Sequence, residues 1–589
     1  MNQSKGITEE ETEGTLFWRK PSDVSPDLWR DALSLREAFS RHAEGSLSED
    51  EFRPLRLRRG AYEQRQDGVI MVRVKAPLGR LTALQLQRLG TLSEKFGDGH
   101  VHLTTRQAIE LHFVTFSRCP ELVAELARVD LTTREACGNA VRNVVGCPLA
   151  GVCPQEIVDV TPYGQGIARY FLRHPLNDSL PRKVKIALSG CSRDCALAAI
   201  SDIGIVAAPT SDGSPRFKLR VGGGLGSTPE ISHPLADGVN EDRLLATCEA
   251  VLQVLHEHGE RKNRQRARLK FLVRRLGMET VESLIDEQAS SIPSSGTDAW
   301  PDDPEPEPAE PYDACSGYEF IDRIPHIDAW IRANARAQKQ KGYYALTIRI
   351  PRGNLTAAEC RFLSALAEEH GNGTLRIDLH QNLVIPWVHS SRLTRFYTAL
   401  NLAGLGGPAG LPDVTSCPGA RTCRLAITRT ADMAVELSKA LESAGADTAA
   451  ARAAVKVSGC PNGCSQHRLA AIGFQGAAAT VAGRRAPVYQ LFVGGATGED
   501  TRIAQPVARV PAHRVPAVAL RLIEIYQANR NEDEELETFL GRADSDWLAA
   551  HITDLTVMEV KPGEESNFFR DHGSDEPFSV QTGQGECAS

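Results

Sequence analysis

Apolar and polar residues alternate from Val69 to Lys75 and again from Tyr344 to Ile350, the period of a strand with one buried face. A helical pattern follows each. Thr82 with Gln85, and Thr356 with Glu359, have capping-box spacing. Leu86, Leu89, Leu92 and Phe96 form an apolar stripe, and Gly97 and Gly371 are suited to end the helices. A second strand is expected over 101–105 and 375–379. Each copy is thus a small α+β unit, followed by a cysteine-bearing segment of mixed helices and strands.

These two patterns are one unit written twice. Gly79, Gly97, Gly99 and Gln107 match Gly353, Gly371, Gly373 and Gln381 at an offset of 274, and Val221-Gly222-Gly223 matches Val493-Gly494-Gly495 at 272. So little drift over such a length means duplication, and two copies predict pseudo-twofold symmetry. Between them, about 287–316, lies an acidic, proline-rich stretch with the core PDDPEPEPAEPYD, read as an extended solvated spacer. Weak periodicity after Trp547 predicts a surface tail.

The 589 residues suffice for several domains. A net charge of −8 gives no electrostatic case for nucleic acid. The polar start and the lack of a long apolar run predict neither a leader nor a membrane span, hence a cytoplasmic protein. In a reducing compartment, fourteen cysteines point to metal or redox chemistry more than to disulfides.

Eight of those cysteines repeat with the unit. Cys147, Cys153, Cys191 and Cys195 read C-x5-C, then C-x3-C. Cys417, Cys423, Cys460 and Cys464 repeat the same spacing at offsets of 270 and 269. On a helix, C-x3-C puts both sulfurs on one face. Pro148 and Pro418 favour a loop after each first cysteine. Structural zinc knuckles use shorter C-x2-C to C-x4-C spacings, whereas four thiolates suit a 4Fe–4S cluster. Buried, unliganded thiols explain one cysteine more readily than two matched quartets.

TSCPGARTC (415–423) with VSGCPNGCSQH (457–467) resembles the signature of the siroheme-containing nitrite and sulfite reductases, and the resemblance spans roughly residues 50–530. It implies a ferredoxin-like half domain (61–130, 317–406) followed by a siroheme and 4Fe–4S α/β domain (131–286, 407–546) in each copy. An arm (1–60), the linker (287–316) and the tail (547–589) complete the chain. It also implies that the C-terminal quartet holds the cluster and that Cys464 bridges it to the siroheme iron. Asn462 and Arg182 lie at the cofactor, with a compact turn at Asn462-Gly463. No FAD or NAD(P) fingerprint stands out, so electrons come from another protein, and ferredoxin is the donor implied.

A small oxyanion losing its oxygens as water needs cations and proton donors. Arg106 in HLTTRQ, Arg142 in VRNVVGC, and Lys183 and Lys185 in LPRKVKIALSGC match the substrate-binding Arg, Arg, Lys and Lys of the resembled sulfite reductases. Strand alternation points both lysines to one face, away from Val184. Nitrite reducers of the family often carry Asn at the second lysine position, and a second ammonium suits a dianion. The expectation is therefore six-electron reduction of sulfite to sulfide, with nitrite reduction to ammonia as the alternative. A non-catalytic electron carrier or redox sensor would not need the cations.

In the second copy the same positions are His380, Pro412, Arg452 and Ala454, so one catalytic site is expected. The N-terminal quartet resembles the arrangement in dissimilatory sulfite reductases. It leaves three readings: a second cluster, a cluster with an unreactive siroheme, or an empty remnant. VGGGLGSTPE and VGGATGED are read as tight loops near the macrocycle, and RKNRQRAR (261–268) as a solvated helix face that could dock a ferredoxin.

Overall fold

The structure is a computed structural model describing residues 18, 20–210, 213–301, 305, 326–443, 453–583 and 586. The first unit contains β1 (Ala61–Glu63), β2 (Val69–Val74), β3 (Arg80–Thr82), β4 (His100–Leu103) and β5 (Ile109–Thr115). The helix Ala83–Phe96 is capped by the Thr82–Gln85 box. The segment after it contains β6 (Val145–Gly146), β7 (Ile186–Ser189), β8 (Ile203–Ala208), β9 (Arg216–Val221) and β10 (His233–Asn240). The second copy repeats both parts. β11 (Ala335–Ala337), β12 (Tyr343–Ile348), β13 (Asn354–Thr356), β14 (Thr374–Ile377) and β15 (Leu383–His389) surround the helix Ala357–His370. β16 (Thr415–Ser416), β17 (Val455–Ser458), β18 (Ile472–Val481), β19 (Arg484–Val493) and β20 (Gln505–Pro511) follow. This is a duplicated α+β fold.

The two half domains exchange strands. One sheet runs β1-β2-β5-β4-β13 and the other β11-β12-β15-β14-β3, so each copy lends a short strand to its twin. Asn354 pairs with His102 in the first sheet, and Arg80 with Arg376 in the second. The two capped helices lie against each other, so close that a Cβ at Gly90 would stand 2.7 Å from the Cys360 Cβ. One apolar core therefore spans both half domains, from Val72, Leu86 and Leu103 to Leu346, Leu363 and Leu375.

The cysteine-bearing segments have matching sheets, β6-β7-β8-β9-β10 and β16-β17-β18-β19-β20. In each, the first two strands are parallel and end directly before a cysteine: β6 before Cys147, β7 before Gly190-Cys191, β16 before Cys417, and β17 before Gly459-Cys460. Parallel strands end on the same side, which brings the two C-x-C loops together. Separate cores support the two sheets.

Three outlying stretches differ from expectation. The arm carries two helices, Pro26–Ala43 and Glu49–Arg58. The first buries Trp29, Ala32 and Leu35 in the shared core. The helix Met278–Ser291 runs past the expected linker start at 287, and Trp300 stacks on Tyr163. Glu305 is buried between Arg80 (2.9 Å) and Arg376 (2.7 Å) and accepts from Trp387 Nε1. The described ends of the proline-rich stretch are thus anchored, because a carboxylate there neutralises two buried guanidiniums. The tail is not a loose surface segment: Phe568 and Phe569 are buried, and Glu586 pairs with the fully buried Arg56. Arg452 and most of 302–325 lie outside the described residues.

Candidate active site

Cys460–Cys464 and Cys191–Cys195 are turns, not helices. Gly463 (φ 66°) and Asp194 (φ 45°) take left-handed backbone in the middle of each, which ends helical winding. The Asp194 carboxylate stabilises its turn by accepting from Ser189 Oγ and from the backbone N–H groups of Ala198 and Ala199 (2.7–2.9 Å). The compact turn expected at Asn462-Gly463 is present.

The C-terminal thiols share one neighbourhood. Cys460 sits in the field of Cys417 and Cys423, and burial pushes its thiol up to about 12. The Gly459 N–H points at Cys417 Sγ (3.3 Å) and Thr430 Oγ1 lies 3.4 Å from it, while Cys464 is the exposed member. The N–H and hydroxyl groups directed at sulfur are the surroundings a thiolate ligand requires. Among the described residues, no three His, Cys, Asp or Glu side chains close around a single-ion position.

The first copy docks onto this turn. Thr105 Oγ1 donates to the Cys464 carbonyl (2.7 Å), and Gln466 Nε2 returns a bond to the Thr105 carbonyl (3.2 Å). Arg106, the next residue, is held with its guanidinium on the Asn143 carbonyl (3.1 Å). Two glutamines staple the assembly. Gln107 bonds Gly146 in both directions and donates to Ile377. Gln381 donates to Leu103 and accepts from Ser416. Each one locks the strand before a first cysteine to the other copy's half domain.

The expected cations meet beside Arg106. Val184 pairs in parallel with Val141, which places Lys183 and Lys185 beside Arg142. Val184 is buried and both lysines are half-buried, as alternation requires. Burial, then the charges of Arg106, Arg268 and Lys183, depress the Lys185 ammonium well below its usual range, with Asp202 opposing. Burial also lowers Arg106 to about 10. Arg142 instead turns its guanidinium onto the Gly138 (3.0 Å) and Ala136 (2.7 Å) carbonyls and the Tyr62 hydroxyl (3.3 Å).

Four participants were not anticipated. Asp202, fully buried, receives the Lys185 backbone N–H (2.9 Å) and pairs with Arg268 (2.8 Å). Arg268 is therefore a site residue, and the helix expected over 261–268 is absent: 264–266 form one turn of 3-10 helix, while most of the run is exposed as expected. Lys75 lies behind Arg142 with its ammonium 3.4 Å from the Val141 carbonyl. Its place at the end of the alternating β2 run was the one available signal. Lys270 donates to the carbonyls of Gly224 (3.3 Å), Leu225 (3.0 Å) and Thr228, fixing the glycine loop. That loop lies over the other copy's turn: a Cβ at Gly463 would be 3.8 Å from the Gly226 nitrogen. Gly498 lies against Arg193 in the mirrored arrangement.

The nitrite and sulphite reductase 4Fe-4S domain model matches residues 137–292 and 409–558, and the nitrite/sulfite reductase ferredoxin-like half domain model matches 62–129 and 336–403. The chain is a member of the nitrite and sulfite reductase family. Curated relatives include the assimilatory ferredoxin-dependent nitrite reductase of Haloferax mediterranei, 28% identical over 92% of each chain. The chloroplastic ferredoxin–nitrite reductase of Zea mays is 32% identical over 80% of this chain and 81% of its own. A sulfite reductase [ferredoxin] of Mycolicibacterium paratuberculosis is 28% identical over 81% and 83%. The structure of Mycobacterium tuberculosis NirA protein superposes with a TM-score of 0.74 at 25% identity, over 90% of this chain and 98% of that one.

As a nitrite and sulfite reductase, the chain is an oxidoreductase that uses siroheme and a 4Fe–4S cluster. The residues fit both groups. The C-terminal quartet offers four thiols with N–H and hydroxyl support. The loop at Gly226 lies over the Cys464 turn and Arg106 follows Thr105 beside it, small and basic residues suited to a polycarboxylate macrocycle. Among the described residues, no helix is long and apolar enough to cross a membrane.

Proposed function

We propose that this enzyme reduces sulfite to sulfide at one centre, with Arg106, Lys183 and Lys185 gripping the anion opposite Cys464 while Arg142, its guanidinium held on the Gly138 and Ala136 carbonyls, adds its charge from behind. The observation that carries this reading is the charge imbalance. Arg106, Lys183, Lys185 and Arg268 crowd together with Asp202 the carboxylate facing them among the described residues, and the burial and mutual repulsion that depress Lys185 are offset when an anion enters. Two ammonium groups favour a doubly charged ligand over a singly charged one.

Cys417, Cys423, Cys460 and Cys464 would hold the cluster, and Cys464, Asn462 and Arg182 would lie toward the siroheme. Together these groups supply electrons one at a time at the anion's central atom. The protein supplies the rest. Six electrons and six protons turn SO3(2−) into sulfide and three waters, so each departing oxygen must meet N–H donors. Lys183 and Lys185 are cations that can give up a proton, whereas the arginines position and neutralise. The donor we infer is a ferredoxin, since the relatives are named for it.

Nitrite is the second reading, favoured by relatives named nitrite reductases, including the one at 32% identity. Steady-state reduction of each anion with a reduced artificial donor discriminates. A higher kcat/KM for sulfite supports the proposal, and a higher value for nitrite transfers the assignment. If neither is reduced by siroheme-replete enzyme, both readings fall.

A further inference from the structure

The N-terminal quartet is assembled on the same parallel strand pair as the C-terminal one, although among the described residues nothing opposite it resembles an oxyanion pocket. The Cys147 and Cys195 thiols are close enough to interact, and Arg193 donates to Cys153 Sγ (Nη2, 3.3 Å) while its charge also acts on Cys191 and Cys195. Cys147, Cys153 and Cys191 are buried and Cys195 is exposed, repeating the exposed fourth member of the other set. The strands delivering them are the parallel pair β6 and β7, twins of β16 and β17.

Its surroundings differ from the twin's in two ways. Where Thr105 bonds the Cys464 carbonyl, its equivalent Leu379 packs with Ala196, Leu197 and Leu225 in an apolar cluster. Where Arg106 stands in the first copy, the second has His380, an exposed imidazole near Lys456 in place of a guanidinium. Pro412 and Ala454 contribute no charge. In addition, Arg376 donates to the Pro148 and Ala150 carbonyls of the quartet's first loop, and Glu305 neutralises it. In the twin, His102 stands at the Arg376 position and hydrogen-bonds Asn354 (2.6 Å), beside a cavity that reaches Cys417.

We propose that Cys147, Cys153, Cys191 and Cys195 hold a second 4Fe–4S cluster that stores or relays single electrons without a reaction centre of its own, and that Arg193 raises its potential. Buried thiols converging around a guanidinium suit a cluster whose net charge is negative in both redox states. A nearby cation favours the more negative, reduced state. Asn462 occupies the Arg193 position in the other quartet, so this electrostatic contribution belongs to the N-terminal site alone. The inference is independent of which anion the enzyme reduces.

The test is iron, acid-labile sulfide and siroheme per chain in anaerobically purified holoenzyme, followed by EPR-monitored redox titration of wild type and Arg193→Asn. The expected result is about eight non-haem irons with one siroheme. Two reduction steps are expected, of which Arg193→Asn lowers one and leaves the other in place. About four non-haem irons would overturn the cluster, and two sirohemes would overturn its solitary role. Eight irons with neither step moved by Arg193→Asn would overturn the part assigned to Arg193. The full-length Arg193→Asn enzyme keeps all eight cysteines, so the titration does not depend on a variant that loses its ligands.

Discussion

Lys185 is the most diagnostic single residue in the pocket. Replacing it with Asn removes one positive charge while Lys183, Arg106 and the Asp202–Arg268 pair remain. Sulfite kcat/KM is expected to fall by roughly tenfold to a hundredfold, about the 1.5–3 kcal/mol of a charge-assisted hydrogen bond, with a smaller loss for nitrite. Equal losses on both anions would refute the dianion argument. The pH dependence has a definite sign. The folded protein holds the Lys185 ammonium below its ordinary range, so raising the pH removes the cation earlier than at an exposed lysine. The KM for sulfite should rise toward alkaline pH, and that rise should flatten in Lys185→Asn. Thr105→Val tests the link between the halves. It deletes a 2.7 Å bond to the Cys464 carbonyl, and the expected cost is about 1 kcal/mol of stability together with a shifted siroheme absorption band. A spectrum identical to wild type would mean that the Cys464 turn is held by other contacts.

The helices Ala83–Phe96 and Ala357–His370 were legible from their capping boxes and stripes, and both form with the expected N-caps. Their mutual packing was not legible. Gly90 reads as an ordinary helical glycine, yet a Cβ there would meet the Cys360 Cβ at 2.7 Å. Gly90→Val is expected to destabilise the protein by roughly 1–3 kcal/mol, read as a lowered Tm, because overpacking at a tight helix contact cannot relax. A neutral result would show that the two helices can separate without loss. The strand exchange of β3 and β13 was equally hidden: three-residue strands carry too little alternation to predict, and their partners are far away in the chain, Leu81 pairing with Leu375 and Leu355 with Val101. The C-x3-C spacing at Cys191–Cys195 and Cys460–Cys464 also suits one face of a helix, and a turn was expected only at Asn462-Gly463. Left-handed backbone at Asp194 and Gly463 decided otherwise, and only the glycine gave a sign of it.

Across the whole chain the duplication creates two related sites, and the linker treats them differently. Glu305 lies between Arg80 and Arg376, next to the N-terminal quartet's first loop. Glu305→Ala leaves two buried guanidiniums without their carboxylate, with an expected loss of roughly 3–5 kcal/mol, measured by denaturant unfolding. An unchanged midpoint would return this stretch to the role of a spacer. The tail works in the same sense, since Glu586 is the buried partner of Arg56 from the opposite end of the chain.

The cysteine spacings, the repeat and the four cations were visible in the sequence because they are properties of residue type and interval, which duplication and shared chemistry preserve. That Arg106 from one copy stands next to Cys464 of the other, that Asp202 and Arg268 join the pocket, and that Glu305 closes one face were decided by the tertiary structure alone. Each depends on contacts between segments far apart in the chain. No local periodicity encodes them, and burial rather than sequence interval sets the charge each group carries.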